Sequence, residues 1–521
     1  MRHISKILVP SMANILFLSV FLIIIFSKTH NLLNDGDTGY HIRAGEYIIQ
    51  TFSIPRYDMF SFLTPPIPWT AHEWLSEVAM ALLYKVFGLT GVVIFFAFFI
   101  ACVFFLFFKI IQTYTGNILI CILVSLFVIT SSQVHWLARP HIFSLLLFVI
   151  WYYLLDIYHY KNKNYLYLFP PIMLLWVNLH GGFVIGFILI GIYLFGNLIK
   201  FFFSNAEEKE EYKRKTKLLG MTAIACLLVS LINPYSYQIL LFPLKLISNK
   251  FIMDHVNEFL PPNFHESMPF KYMLLFMIAV FAISRKRINI IELALIVLFT
   301  NMSLYSARYI PLFAIVTAPI LVKQIESVFG QWDGRLKNFL KKRAERIASV
   351  DASANGYVLP CAAILLTIFL AVNGKVGYTF DEKEKPVAAV EFLKGEHIKG
   401  NMFNNDEFGD YIIYAAWPEY KVFFDGRSDM YGVDRMKEYF KVTGVETGWD
   451  KVLKKYNINW IIYDANSYLS RFLLERVDWK LIYADKVANI FVRNTPEYQS
   501  LIDKYKGVKP VIVEEKDNIA K

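Results

Sequence analysis

Charge is scarce in this chain: Asp, Glu, Lys and Arg make up 18% of its 521 residues, against 56% hydrophobic and 17% aromatic. A soluble globular protein needs more polar surface than that, so the composition excludes that class and makes a membrane the solvent. Cysteine is rare too. Cys102, Cys121, Cys226 and Cys361 all fall inside apolar segments, which argues against a disulfide framework and a Cys-based zinc site. No P-loop, dinucleotide fingerprint, serine-hydrolase elbow, zinc-protease helix or internal repeat occurs, which argues against ATP-driven or nucleotide-cofactor chemistry. The formal net charge of +10 does not mark a nucleic-acid surface, because the basic residues cluster in short links between apolar runs.

Those apolar runs are what is abundant. Stretches of spanning or near-spanning length lie at about 7–27, 90–112, 117–133, 141–158, 165–179, 183–203, 217–233, 270–284, 288–304, 309–327 and 355–373, predicting eleven helices. Residues 7–27 are too long and too poorly followed for a cleaved signal peptide. The segment 74–87 is short and ends at Gly88, so it is assigned to the interface. With the N-terminus inside, the links carrying Lys161 and Lys163, Lys209 to Lys217, Arg285 to Arg287, and Arg335 to Arg346 all fall on the cytoplasmic side. The opposite side receives 28–89, the turns near Arg139, His180 and Arg308, the loop 234–269, and everything after Asn373. Residues 1–380 are thus expected as a membrane domain with outer loops 28–89 and 234–269, and 381–521 as an extracytoplasmic α/β domain.

In that C-terminal part, strand-like runs at 400–404, 420–425 and 458–464 alternate with helical stretches, which predicts a parallel sheet. A hairpin at 479–484 and 487–493 is expected at its edge, and the tail from Glu514 is read as disordered.

The first outer loop is the most informative segment. It opens Asn34-Asp35-Gly36-Asp37-Thr38-Gly39-Tyr40-His41. Two carboxylates separated by glycine can converge on one cation, or one can accept a proton while the other positions it. The same string suits an Asx turn capping a helix, but its place at the membrane edge favours a site. The helix that follows puts Tyr40, Ala44, Tyr47 and Ile48 on one face, suited to the membrane surface. Asp58 caps a turn at Pro55-Arg56-Tyr57-Asp58, while His72 and Glu73 either hold a metal or acceptor or begin an interfacial helix anchored by Trp69 and Trp74.

Arg139, within Trp136-Leu137-Ala138-Arg139-Pro140-His141, can pair with a lipid phosphate or snorkel to headgroups, and Arg308 repeats the argument. Asn178, His180 and the pair Gly181-Gly182 end a helix on the same side, and Glu258 lies in the second long loop. Asp425-Gly426-Arg427 follows a strand, where α/β domains commonly place ligand groups; a structural Arg–Asp pair is the alternative.

On these residues the chain resembles the GT-C class of integral membrane glycosyltransferases, particularly bacterial members related to the protein mannosyltransferase and lipid A aminoarabinose transferase families. Asp35-Gly36-Asp37 with His41 and Gly45, Pro55-Arg56-Tyr57-Asp58, His72-Glu73-Trp74-Leu75, Arg139-Pro140, Asn178-Leu179-His180-Gly181-Gly182 and Asp425-Gly426-Arg427 look like a bacterial GT-C-like group of mostly unassigned substrate. The resemblance implies an α-helical multi-pass membrane protein that moves a sugar from a polyprenyl-phosphate or polyprenyl-diphosphate donor to a protein or glycan acceptor. An Asp or Glu of the first outer loop then serves as base or metal ligand, so catalysis is expected at Asp35 and Asp37. Members that transfer oligosaccharides use a cation, here Mg or Mn on Asp35 and Asp37, whereas monosaccharide-transferring members work with carboxylates alone; no nucleotide cofactor is implied. Donor phosphate is expected at Arg139 and Arg308, and donor or acceptor groups at His41, Asp58, His72, Glu73, His141, Asn178, His180 and Glu258, with Asp425 and Arg427 as C-terminal candidates. The expected setting is the bacterial cytoplasmic membrane, with membrane lipids and no nucleic acid as partners.

A transporter, an assembly factor, or a glycan polymerase or ligase is the competing class. A transporter should carry charges near the midplane and repeated halves, whereas Asp156 and Glu292 lie towards the cytoplasmic ends of their spans. A polymerase or ligase generally lacks a sizeable C-terminal α/β domain.

Overall fold

Backbone groups in hydrocarbon must find partners within their own segment, so long apolar runs fold as helices. The computed structural model describes residues 8–27, 32–354 and 356–511. Among these, five helices are long and apolar enough to cross a membrane: Trp74–Gln112, Ile118–His135, His141–Lys161, Gly181–Phe203 and Ala307–Gln331. A sixth candidate is the bent pair Arg335–Ser353 and Val358–Val372, whose axes meet at 69°. Met12–Phe26, Leu166–Leu179, Gln238–Ser248, Pro269–Ile283 and Ile290–Tyr305 are apolar but shorter. The chain is a multi-pass membrane protein, and among the described residues five or six of the eleven expected spans meet the length and composition of a crossing. The reason is local: several expected spans are only four turns long, and 217–233 is the apolar end of a helix, Ala206–Val229, whose first turns are charged. The segment 74–87 ends at Gly88, as expected: there φ is 62° and ψ −164°, and the run Trp74–Gln112 is two helices across a kink.

The chain divides into two compact units. The first comprises Met1–Asn31, Val93–Ser248 and Met253–Gly377, and the second Leu32–Val92, Asn249–Ile252 and Tyr378–Lys521. Some helix starts in the first unit are set by side-chain caps. Asn117 accepts from Leu119 N and Ile120 N (3.1 and 3.4 Å) to start Ile118–Ser132, and Asn289 forms a reciprocal capping box with Glu292 to start Ile290–Tyr305.

The second unit joins residues 32–92 to the C-terminal segment. Its sheet has strands β1 (Asn401–Asn404), β2 (Ile458–Asp464), β3 (Trp479–Ala484) and β4 (Ala488–Arg493), in the order β1-β2-β4-β3. Only β1 and β2 are parallel; β2 with β4 and β3 with β4 are antiparallel. The sheet is therefore mixed, because the edge hairpin β3–β4 inserts through β4. The stretch 420–425 does not become a ladder strand. Asn404, wholly buried, accepts from Phe423 N (2.8 Å) and donates to the Phe424 carbonyl (2.7 Å), while Val422 exchanges backbone hydrogen bonds with Phe60 and Phe62 of the loop after Asp37–Thr51. A side chain and the loop thus take the hydrogen bonds a neighbouring strand would have made.

Candidate active site

Asp37 opens the helix Asp37–Thr51, and its N–H donates to Asp35 Oδ1 at 2.8 Å. This is the Asx turn expected of the string, and it leaves the Asp37 carboxylate to its surroundings. Those surroundings are unusually close because glycines line them. A Cβ on Gly36 would meet Asp410 Cβ at 2.8 Å, and one on Gly39 would meet Tyr414 Cβ at 2.7 Å. The Asp37–Thr51 helix therefore packs directly on Asp406–Ala416, where Arg43 Nε also donates to the Tyr414 carbonyl (2.8 Å). On its other side Gly45 lets the backbone of the Trp74–Gln112 helix approach: a Cβ there would lie 1.9 Å from the Glu77 carbonyl oxygen. Gly45→Val accordingly destabilises the second unit by about 1–3 kcal/mol or more, since the obstacle is backbone and cannot rotate away; thermal unfolding of the purified protein measures it.

The same closeness brings carboxylates together. A Cβ on Gly426 would lie 2.1 Å from Asp37 Oδ1 and 3.0 Å from Asp410 Oδ2, so these oxygens share one small space over the Gly426 backbone. Gly426 N–H donates to Asp410 Oδ1 at 3.0 Å. Burial pushes the Asp410 carboxyl well above the usual carboxylate range, and the charges of Asp37 and Asp425 push it further. Lys385, also buried, donates to Glu407 Oε2 (2.8 Å), and the charges of Glu407, Asp35 and Asp410 help hold it protonated against burial.

Arg427 is the hub of the loop beside this cluster. It is 2% exposed and contacts Asp58 Oδ1 (2.8 Å) and both Asp425 oxygens (2.8 and 2.7 Å), and Tyr431 O–H donates to Asp425 Oδ2 (2.7 Å). The rings of Phe60 and Trp69 cover the guanidinium at 4.9 and 4.7 Å, and Nη1 has no hydrogen-bond partner among the described residues. Asp58 and Trp69 are thus tied to the 425–431 turn inside the protein. Trp69, expected as an interface anchor, is 5% exposed. The Tyr40, Ala44 and Ile48 face, expected at the membrane surface, is likewise buried, because Asp37–Thr51 lies between other helices.

His41, one turn after Asp37, is held between two carboxylates: Nδ1 lies 3.2 Å from Glu77 Oε1 and Nε2 3.6 Å from Glu73 Oε2. His72 Nε2 is 3.9 Å from Glu73 Oε1. Asp35, Asp37, His41, Asp58, His72, Glu73, Asp425 and Arg427 all belong to the second unit.

The remaining candidates belong to the first unit. Arg139 forms an ion pair with Glu258, and Arg308 lies over the Phe259 ring at 4.8 Å. Burial raises the Glu258 carboxyl, but the charges of Arg139 and Arg308 outweigh it and bring it down to about 2. The two arginines are therefore neighbours of one carboxylate. His141 Nε2 donates to the His135 carbonyl at 2.8 Å. His180 Nδ1 accepts from Gly182 N (2.9 Å) and lies 2.7 Å from Ser144 Oγ, which takes the Trp176 N–H. Asn178 Nδ2 donates to the carbonyls of Leu174 and Ile232 (2.9 and 3.0 Å), joining two helix ends.

Sequence reading missed Asp410, Glu77 and Lys385 as members of these clusters. The pairing of Asp410 with Asp37 is a contact between residues far apart in the chain. Only the glycines at 36, 39 and 426 could have hinted at it.

No protein-family model and no curated protein matches the sequence. Solved structures do. The apo form of the oligosaccharyltransferase of Archaeoglobus fulgidus superposes with a TM-score of 0.56 at 11% identity, covering 93% of this chain and 74% of that one. The archaeal oligosaccharyltransferase AglB of the same organism, in complex with an inhibitory peptide and a dolichol-phosphate, gives a TM-score of 0.56 at 13% identity, covering 87% and 69%. This chain therefore has the GT-C fold, shared with archaeal oligosaccharyltransferases.

Proposed function

We propose that this chain is a glycosyltransferase that moves a sugar from a polyprenyl-phosphate or polyprenyl-diphosphate donor to a protein or glycan acceptor at the outer face of a bacterial cytoplasmic membrane. The observation that carries the reading is the fold likeness over nearly the whole chain to an enzyme solved with a peptide and a dolichol-phosphate. The donor enters laterally between helices, and its phosphate is held by Arg139 and Arg308. Asp37 or Asp35 takes the proton from an acceptor hydroxyl, whose oxygen attacks the anomeric carbon. The bond from that carbon to the phosphate oxygen breaks, and the lipid phosphate leaves with the electron pair, its charge met by the arginines. One displacement inverts the anomeric centre; retention in the product would exclude this version.

Asp35 and Asp37 supply hard oxygen ligands, which suit Mg or Mn. Such a cation would be held by these two carboxylates and would stabilise negative charge on the donor. The positioning of the acceptor and the proton transfer are work for the chain's own residues.

Arg139→Gln and Arg308→Gln each weaken binding of a short-chain polyprenyl phosphate by about tenfold or more, the usual loss for a charge-assisted hydrogen bond. Titration of the purified protein with that probe tests it. Unchanged affinity in both variants removes the arginines from the donor site.

A further inference from the structure

The helix Arg335–Ser353 is unlike the apolar helices on either side of it. It carries six basic residues (Arg335, Lys337, Lys341, Lys342, Arg343, Arg346) and two acidic ones (Glu345, Asp351). One face is fixed to the first unit: Ala344 is 4% exposed, and Asp351 accepts from Met12 N (2.5 Å) and Gln112 Nε2 (2.8 Å). The adjoining face is open and apolar. Leu336, Phe339 and Val350 are 62%, 54% and 55% exposed, and their spacing of 3 and 11 residues keeps them along one side of an α-helix. Arg343 lies on the same stripe with its guanidinium 5.2 Å from the Phe339 ring, and Arg335, Lys342 and Arg346 border it by helical spacing.

A bare apolar stripe edged with cations needs a partner that is apolar below and anionic above. Continuity with the spans supplies it. The chain leaves the apolar helix Ala307–Gln331 four residues before Arg335 and enters the apolar helix Val358–Val372 five residues after Ser353, at 69° to it. Both ends are therefore held near the bilayer surface, and the helix runs across the direction of the following span. Trp332, 52% exposed, stands at the junction, where Trp favours the headgroup level.

We propose that Arg335–Ser353 is an interfacial helix whose Leu336, Phe339 and Val350 stripe enters the acyl boundary while Arg335, Lys342 and Arg346 hold the phosphates of anionic membrane lipid. The helix then docks the protein onto anionic patches of its membrane, a role separate from sugar transfer. Each such cation near an anionic surface contributes about 1 kcal/mol, roughly a fivefold change in occupancy, and the contribution is screened by salt.

The test uses the full chain carrying Phe339→Cys, labelled with an environment-sensitive fluorophore in a Cys361→Ser background because Cys361 is an exposed native thiol. It is reconstituted into vesicles of phosphatidylcholine alone and of phosphatidylcholine with phosphatidylglycerol in equal parts. The expected result is blue-shifted emission and protection from aqueous iodide in the anionic vesicles. Salt near 1 M, where the screening length is roughly 3 Å, reverses this, and the triple variant Arg335→Gln, Lys342→Gln, Arg346→Gln loses it. Tryptic cleavage after Arg343 and Arg346 of the unlabelled wild-type chain gives a second reading, slower in the anionic vesicles. Identical emission and cleavage in both lipids overturn the proposal. So does protection that depends on protein concentration instead of lipid charge, because a second copy then covers the stripe.

Discussion

Arg427→Met should destabilise the second unit by about 3–5 kcal/mol, the usual cost of removing one partner from a buried ion pair. The side chain removed is one of the largest wholly buried in the protein, and its loss strands Asp58 and Asp425, 7% and 0% exposed, without their cation. Adding Asp58→Asn and Asp425→Asn should recover part of the loss, since an apolar and neutral cluster no longer buries unpaired charge. The cluster also sets an acid limit. Burial raises the Asp58 carboxyl, but Arg427 and the hydrogen bonds from Ser61, Arg427 and Phe60 bring it below its ordinary value. A carboxyl lowered in the folded state contributes stability above its unfolded pKa of roughly 4, and loses it as pH falls through the lower folded value. Thermal unfolding of wild type should therefore weaken below about pH 4, and Arg427→Met should lose that part of the dependence. A variant as stable as wild type across that range would remove Arg427 from its role as the tie between first loop and C-terminal segment.

Asp37→Asn should lower sugar transfer by about 10²- to 10⁴-fold, the range expected when a positioned general base is removed. The amide is isosteric, so the close fit over Gly426 survives and the unfolding temperature should not fall. It should instead hold or rise, because Asp37 is one of the charges that push up the buried Asp410 carboxyl. Loss of activity with preserved stability separates a chemical role from a packing one. Transfer is read in membranes carrying the variant, with their own lipid-linked donors, by mass spectrometry of the glycosylated product. Unchanged transfer in Asp37→Asn would pass the proposed role to Asp35.

Much of this was legible in the sequence because it is local. The apolar runs predicted helices, with limits at Phe26, Gln112 and Ile283 that the structure places within a residue or two of the expected ends. The hairpin at 479–493 and the strand at 458–464 followed from short alternating runs bounded by turns. What failed depends on distant partners. Residues 420–425 have a strand's composition, yet Asn404 and the loop at 60–62 claim their hydrogen bonds. Trp69 looks like a membrane anchor until Arg427, 358 positions later, is seen beneath its ring. Span number rests on length: four-turn helices such as Pro269–Ile283 are apolar throughout but shorter than the length that identifies a crossing by itself. The predicted disordered tail and the first charges, Arg2 and Lys6, lie outside the described residues.

The residues proposed for the site were legible one by one, but their contacts were not. Asp35, Asp37, Arg139 and Arg308 could be picked out as polar residues at the ends of apolar runs. The sequence carried no sign that Arg139 and Arg308 share Glu258, or that Asp410 stands beside Asp37, because both contacts form between segments that only the fold brings together.

The most direct measurement is the pool of lipid-linked saccharides in cells that express the Asp35→Asn, Asp37→Asn double variant in place of the wild-type chain, with insertion and abundance of the variant verified in the same membranes. A transferase acting on such donors predicts that saccharide-loaded polyprenyl lipid accumulates while the acceptor is underglycosylated, and that wild type restores both. Normal lipid pools and normal glycans, in cells holding a stable and inserted double variant, would contradict the account.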